Sequence, residues 1–203
     1  MKSTLRILAA AASLLLAACA PQQLVRNEGD AASLAQQQAR EQQLAGANHW
    51  VLQGRLSVSS DRDSGGPGNL TWTQNGDHYE FTLRAPIVGK SFRLIGGPDG
   101  AELDGLEGGP QHGPDAEALM QRALGWDVPL SELRAWVLGV RAKGSAAELS
   151  FGDDKLPSLL QQDGWSVSYP TWDTTHQPPL PTKVFAEKPP YKVRLAIESW
   201  SVQ

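Results

Sequence analysis

The sequence predicts a mainly β domain, an antiparallel sheet bent into a barrel or half-barrel around an apolar interior, with helices covering one side. Three observations predict it. Short segments of period-two alternation recur from Trp50 to Val202, clusters of glycine and proline separate them, and the interval 114–139 alone switches to helical spacing.

The chain starts with a basic pair, Lys2 and Arg6, followed by an apolar run from Ile7 to Ala17 that is too short to span a bilayer. Residues 1–18 therefore read as a cleaved signal peptide. Leu16-Ala17-Ala18-Cys19 closes the run and resembles the lipobox of bacterial lipoproteins. That resemblance implies a thioether-linked diacylglycerol and an amide-linked acyl chain on Cys19, which together exceed what stable anchoring requires. With Ala20 rather than Asp after the cysteine, it also implies export to the outer membrane. The alternative, an ordinary secretory signal with an incidental cysteine, is disfavoured because a lone cysteine at that offset is hard to place otherwise.

About 185 residues remain after cleavage, enough for one domain with a single core. Cys19 is the only cysteine, so stability must come from packing rather than from an internal disulfide. The formal charge is −4, and losing Lys2 and Arg6 makes it more negative. The basic residues are scattered rather than clustered on one face, which argues against nucleic acid as a partner.

Residues 19–48 read as a lipidated N-terminus, a tether and one helix, with Ser33 as cap and a thin apolar stripe through Leu34, Ala35, Gln38 and Leu44. The domain proper runs over 49–203. From Trp50, Leu52, Gly54, Leu56 and Val58 share one strand face. A loop over 61–68 leads to Leu70 and Trp72 alternating with threonines, and Asn75-Gly76 turns the chain into a hairpin. Tyr79, Phe81 and Leu83 then point one way. Pro86-Ile87-Val88-Gly89 interrupts the ladder, Phe92 and Leu94 resume it, and Ala101 and Leu103 start a further strand beyond Gly100.

Pro114 and Asp115 suit a helix start, with Ala116, Leu119, Met120 and Ala123 on one side and Gly125 as a stop. A second helix after Pro129 places Leu130, Leu133, Trp136 and Val137 together before Gly139. Strands then return around Leu149 and Phe151; Trp165, Val167 and Tyr169; Val184 and Phe185; Val193, Leu195 and Ile197; and Trp200 and Val202.

Candidate chemistry is sparse. His49, His78, His112 and His176 lack metal-ligand spacing and read as surface or turn histidines. Asp61/Asp63 and Asp153-Asp154 lack the continuation of a calcium loop, and no nucleophile elbow or phosphate-binding loop is present. The sequence thus predicts neither an enzyme nor a cofactor or metal. Seven tryptophans are many for this length. By inward phase, the residues predicted to line an apolar interior are Leu56, Trp72, Phe81, Leu83, Leu94, Trp136, Trp165, Tyr169, Leu195 and Trp200. A filled core and a cavity open to lipid need the same phase, so spacing does not separate them. Ile87 and Val88, between a proline and a glycine, fit either a buried bend or an exposed apolar tip.

Assembled in order, these residues resemble the LolB family. The match rests on the lipobox at Cys19, Gly54-Arg55-Leu56, Leu70-Thr71-Trp72, Pro86 to Gly89, Pro129-Leu130 with Leu133 and Trp136-Val137-Leu138-Gly139, Gly164-Trp165 with Val167 and Tyr169, Gln177-Pro178 with Leu180-Pro181, and Ile197 with Trp200. The resemblance implies a half-open antiparallel β-barrel, lidded by helices, around an apolar cavity. It implies a monomer that accepts acylated lipoproteins from the periplasmic carrier LolA and incorporates them into the outer membrane without nucleotide hydrolysis, held there by its own acyl anchor. It assigns Pro86, Ile87, Val88 and Gly89 to a membrane-insertion loop. The two β-branched residues depart from the family's usual single Leu, and Trp172 stands where a Tyr is more usual. Two other readings are a scaffold lipoprotein of an outer-membrane assembly machine, sharing the anchor but holding no acyl ligand, and an envelope hydrolase, which would need a solvent-reachable Ser or carboxylate beside a histidine.

Overall fold

The structure is a computed structural model that describes residues 24–62, 66–85 and 91–202. Cys19 and the Pro86–Gly89 loop lie outside the described residues.

One twelve-stranded, fully antiparallel sheet carries the fold, in the order β1-β8-β9-β10-β11-β12-β2-β3-β4-β5-β6-β7. From the N-terminus, β1 is Asn27–Glu28, β2 His49–Ser59, β3 Gly68–Asn75, β4 His78–Arg84, β5 Phe92–Gly97, β6 Gly100–Asp104 and β7 Gln111–Gly113. After the helices follow β8 Ala147–Phe151, β9 Pro157–Gln162, β10 Trp165–Asp173, β11 Leu180–Lys188 and β12 Tyr191–Val202. The sheet does not close, and β1 and β7 are its two edges. It is the half-open barrel the sequence implies.

The two longest strands, β2 and β12, pair at the middle of the sheet. Their register shifts between Ile197 and Ser199, and β10 shifts twice against β11 between Ser168 and Trp172. Such bulges bend a strand and raise its twist, which curls the sheet instead of letting it lie flat. Gly54 faces Ile197 beside the β12 bulge, and a Cβ there would collide with the Ala196 carbonyl oxygen. The alternation read from Trp50 to Val58 holds, with Trp50, Leu52, Gly54, Leu56 and Val58 all inward.

Among the described residues, three helices complete the fold: α1 Ala31–Leu44, α2 Ala116–Leu124 and α3 Leu130–Val137. Helix α2 packs against β5, β6 and β7 while α3 reaches β11, so the pair spans the concave face between the two halves of the sheet. Asp115 accepts from the backbone N–H groups of Glu117 and Ala118, and Gly125 ends α2 at φ 70°. Both start and stop agree with the sequence reading.

Four features differ from it. Asp30, not Ser33, caps α1, accepting from the Ser33 N–H. The buried stripe of α1 is Ser33, Gln37, Arg40 and Leu44, while Leu34 is 45% exposed, because this helix docks by hydrogen bonds rather than by an apolar face. Strands β1, β7 and β9 were not legible: β1 and β7 are only a few residues long, and the inward face of β9 carries Ser158 and Gln162 beside Leu160, which breaks the apolar alternation. The segments around Val193 and Trp200 are one strand, split in the pattern by the bulge that leaves Trp200 half-buried and Val202 exposed.

Candidate lipid-binding interior and its mouth

Nine of the ten residues picked by inward phase, Leu56, Trp72, Phe81, Leu83, Leu94, Trp136, Trp165, Tyr169 and Leu195, belong to one continuous apolar cluster and are at most 3% exposed. Trp200 packs against the cluster from its edge and donates Nε1–H to the Pro181 carbonyl at 3.0 Å. The sheet supplies one wall. Leu119 and Met120 of α2, and Leu133, Trp136 and Val137 of α3, supply the other.

An aromatic chain crosses the inner surface of the sheet. Trp200 meets Trp50 at 5.6 Å between centroids, Trp50 meets Trp72 at 5.2 Å, and Trp72 meets Phe81 at 5.5 Å. Phe81 continues to Phe92 at 6.1 Å, and Phe92 to Trp126, in the link between α2 and α3, at 5.7 Å. The tilted and edge-on geometries are those that aromatic quadrupoles favour. Trp50, Phe92 and Trp126 were missing from the phase-chosen set, although Trp50 and Phe92 stood in phase with Leu52 and Leu94. Trp126 offered no strand or helix period to read.

Polar side chains hold the helices at a few points. No side chain of its own caps α3; instead Glu117 of α2 accepts from the Ser131 N–H at 3.0 Å and the Ser131 hydroxyl at 2.9 Å, joining the two helices. Arg134 donates to the Gly76 carbonyl at 2.9 Å, tying α3 to the β3–β4 turn. Gln162 accepts from Trp136 Nε1–H at 3.1 Å and from the Ala142 N–H at 2.9 Å, which explains a polar residue facing inward from β9.

At the C-terminal end of α3, the Arg40 guanidinium donates to Leu138 O, to Gly139 O at 2.7 Å and to Pro179 O at 2.8 Å and 3.1 Å. A cation at a helix C-terminus meets the negative end of the helix dipole. Burial pulls the Arg40 pKa down to about 10, still well above neutrality. Burial pushes the nearby Tyr169 phenol up.

A cleft of about 360 Å³ leads toward the interior between the β3–β4 hairpin and the N-terminal ends of α2 and α3. Trp72, Gln74 and Tyr79 line it from the sheet, and Glu117, Ser131 and Arg134 from the helices. Burial, with Glu117 and Asp115 adding to it, pushes the Tyr79 phenol up to about 12. A larger groove of about 880 Å³ lies on the other side of the sheet, where Val25 and Arg26 cross Phe185, Lys183 and Arg194. Unlike the smaller cleft, which Trp72 lines, it is not lined by any residue of the aromatic chain. Among the described residues no group of His, Cys, Asp and Glu is placed to hold a metal ion.

A family model described as "Outer membrane lipoprotein LolB" matches residues 48–200. An "Outer-membrane lipoprotein LolB" of Xanthomonas axonopodis pv. citri is 35% identical over 216 residues, covering 100% of this chain and 99% of the relative. One of the same name from Alkalilimnicola ehrlichii is 35% identical over 197 residues, covering 97% and 96%. Among solved structures, a LolA superfamily protein from Nitrosomonas europaea aligns with a TM-score of 0.55 at 7% identity, over 82% of this chain and 93% of the other. At that identity the likeness shows the fold alone.

Proposed function

The chain belongs to the outer-membrane lipoprotein LolB family, and from that premise we propose that it accepts lipoproteins from the periplasmic carrier LolA and incorporates them into the outer membrane by sheltering their acyl chains. The observation that carries this reading is the aromatic, concave inner face of an unclosed sheet, covered by two short helices. An acyl chain gains about 0.8 kcal/mol per buried CH₂, so a lipoprotein crosses water only when its chains stay covered. The ten phase-chosen residues form the surface that covers them. Side chains from the helices fill the space between helix and sheet, so an arriving chain takes their place as α2 and α3 lift.

The handover needs no covalent step. A downhill order of affinities, carrier weakest, this protein intermediate and membrane strongest, drives it without nucleotide. Cys19 carries the anchor, residues 19–48 supply the lipidated N-terminus, the tether and the first helix, and the Pro86–Gly89 loop meets the bilayer. A transfer assay tests the reading: a purified carrier–lipoprotein complex is mixed with the lipidated protein in liposomes, and the lipoprotein is followed into the bilayer. Transfer should depend on this protein. Lipoprotein that reaches the bilayer equally well without it would sink the proposal and favour the scaffold reading.

A further inference from the structure

Two residues that line the cleft each carry a buried polar atom with no hydrogen-bond partner: Trp72 its Nε1–H, a donor, and Gln74 its Oε1, an acceptor, which an incoming group reaches only as α2 and α3 lift. Their residues are 1% and 2% exposed. The orientation of the Gln74 amide is set by its surroundings, because Nε2 donates to Gly76 O at 2.9 Å and to His78 O at 3.1 Å. Reversing the amide would bring its oxygen against two carbonyls, so the free atom is the acceptor. Leaving either group unpaired costs about as much as a lost hydrogen bond. Gln37 Oε1, Trp50 Nε1, Ser158 Oγ and the Tyr169 hydroxyl are buried in the same state, but Trp72 and Gln74 pair a donor with an acceptor on one strand face that lines one cleft.

Trp72 and Gln74 sit two positions apart on the same face of β3, which separates their origins by about 7 Å. A planar trans amide directs its C=O and its N–H in opposite directions and bridges such a donor and acceptor. Resting on the function proposed above, we propose that this cleft reads the head of the cargo: the N-acyl amide of an acylated N-terminal cysteine, with its carbonyl accepting from Trp72 Nε1–H and its N–H donating to Gln74 Oε1. At about 360 Å³ the cleft is at the small end of ligand sites and suits a linkage group at the mouth, while the acyl chains run on into the aromatic interior. Glu117 and Asp115 beside it favour a donor; the one cation of the lining, Arg134, has an N–H committed to the Gly76 carbonyl at 2.9 Å.

The consequence is selectivity. A protein tethered to a bilayer is surrounded by phospholipid whose chains match those of its cargo. Phospholipid acyl linkages are esters, which present a carbonyl to Trp72 but no N–H to Gln74. A site that holds a buried acceptor for an N–H discriminates against ligands that lack one.

The test uses the lipidated full chain in nanodiscs of phosphatidylethanolamine and phosphatidylglycerol, titrated with a synthetic peptide bearing N-palmitoyl-S-diacylglyceryl cysteine. Two changes are compared with this pair: Trp72→Phe on the protein, and N-methylation of the acyl amide on the peptide. Each should weaken binding about tenfold, the effect of one desolvated hydrogen bond. The indole N–H resonance of Trp72 should also move with the unmodified peptide while staying put in phospholipid alone. If the wild-type protein binds the methylated and unmethylated peptides equally, the inference is wrong even if Trp72→Phe fails to fold, since that comparison uses the unaltered protein. If the wild-type protein binds neither peptide, it is the acyl-binding function that fails.

Discussion

The guanidinium of Arg40 lies 4.8 Å from the ring centroid of Trp172, on a side chain that is only 4% exposed. One face of the cation stacks on the indole, while its N–H groups go to the carbonyls of Leu138, Gly139 and Pro179 rather than to a carboxylate. Through these contacts the first helix, the end of α3 and the segment before β11 are held together. The indole of Trp172 is the strongest cation–π partner among the aromatic side chains.

Arg40→Met should therefore strip the Leu138 and Pro179 carbonyls of their side-chain donor, leave Gly139 O with Gln37 alone, and lower stability by about 2–4 kcal/mol in denaturant unfolding. Arg40→Lys should recover only part of that, because a single ammonium does not reproduce the planar fork. A change of under half a kilocalorie for Met would show that α1 docks without this contact.

Glu41 predicts how the docking of α1 responds to acid. Burial acts to raise its carboxyl, but hydrogen bonds from Arg141 and Gln37 outweigh it and hold the pKa below 4.5. A depressed carboxylate contributes stability that is complete above its unfolded value and is lost as pH falls through its folded one. Melting temperature should thus be insensitive to this group from pH 7 down to about 4.5 and drop below it, and Glu41→Gln should flatten that acid limb. An identical limb in the variant would place the acid sensitivity elsewhere.

Gly54→Ala should destabilise the domain by about 3 kcal/mol or more, since the new Cβ meets the backbone of β12 and not a movable side chain. Thermal melting measures it. Near wild-type stability would mean that the β2–β12 pair opens more readily at the bulge than its pairing suggests.

Cys19→Ala should remove the acyl anchor and shift the protein from the membrane to the soluble fraction, because none of the described helices is long and apolar enough to cross a bilayer. Fractionation after cell lysis reads the outcome. Full retention on membranes would assign anchoring to another part of the chain.

Replacing Ile87 and Val88 together with Glu should change stability by no more than about 0.5 kcal/mol if the loop projects, leave uptake from the carrier intact and block delivery to liposomes. Melting and transfer are run on one sample. A stable variant that still delivers cargo would remove the loop from the mechanism.

Local pattern carried most of the fold. Alternation marked β2 through β6, Asp115 and Gly125 bounded α2, and Pro129 preceded α3, because each depends on residues within one turn or one strand. Where the pattern misled, a long-range partner was responsible. Gln162 faces inward because Trp136 and the Ala142 backbone need it, and a sequence scan sees only a glutamine breaking an apolar phase. The stripe on α1 looked thin for the same reason, its binding energy residing in Arg40 and Gln37.

The sequence by itself determined the address implied by Cys19, the half-barrel class, the inward phase of nine buried side chains and, through the order of its motifs, the family. Only the tertiary structure decided that Trp200 shares a bulged strand with Val193, that Arg40 binds carbonyls about a hundred residues away, and that Trp72 and Gln74 line one cleft while keeping a buried donor and acceptor unpaired. The physical reason is the range of the forces involved. Periodicity and capping arise between near neighbours along the chain, whereas the pairing or non-pairing of a buried polar group depends on which distant segments the closed fold brings against it.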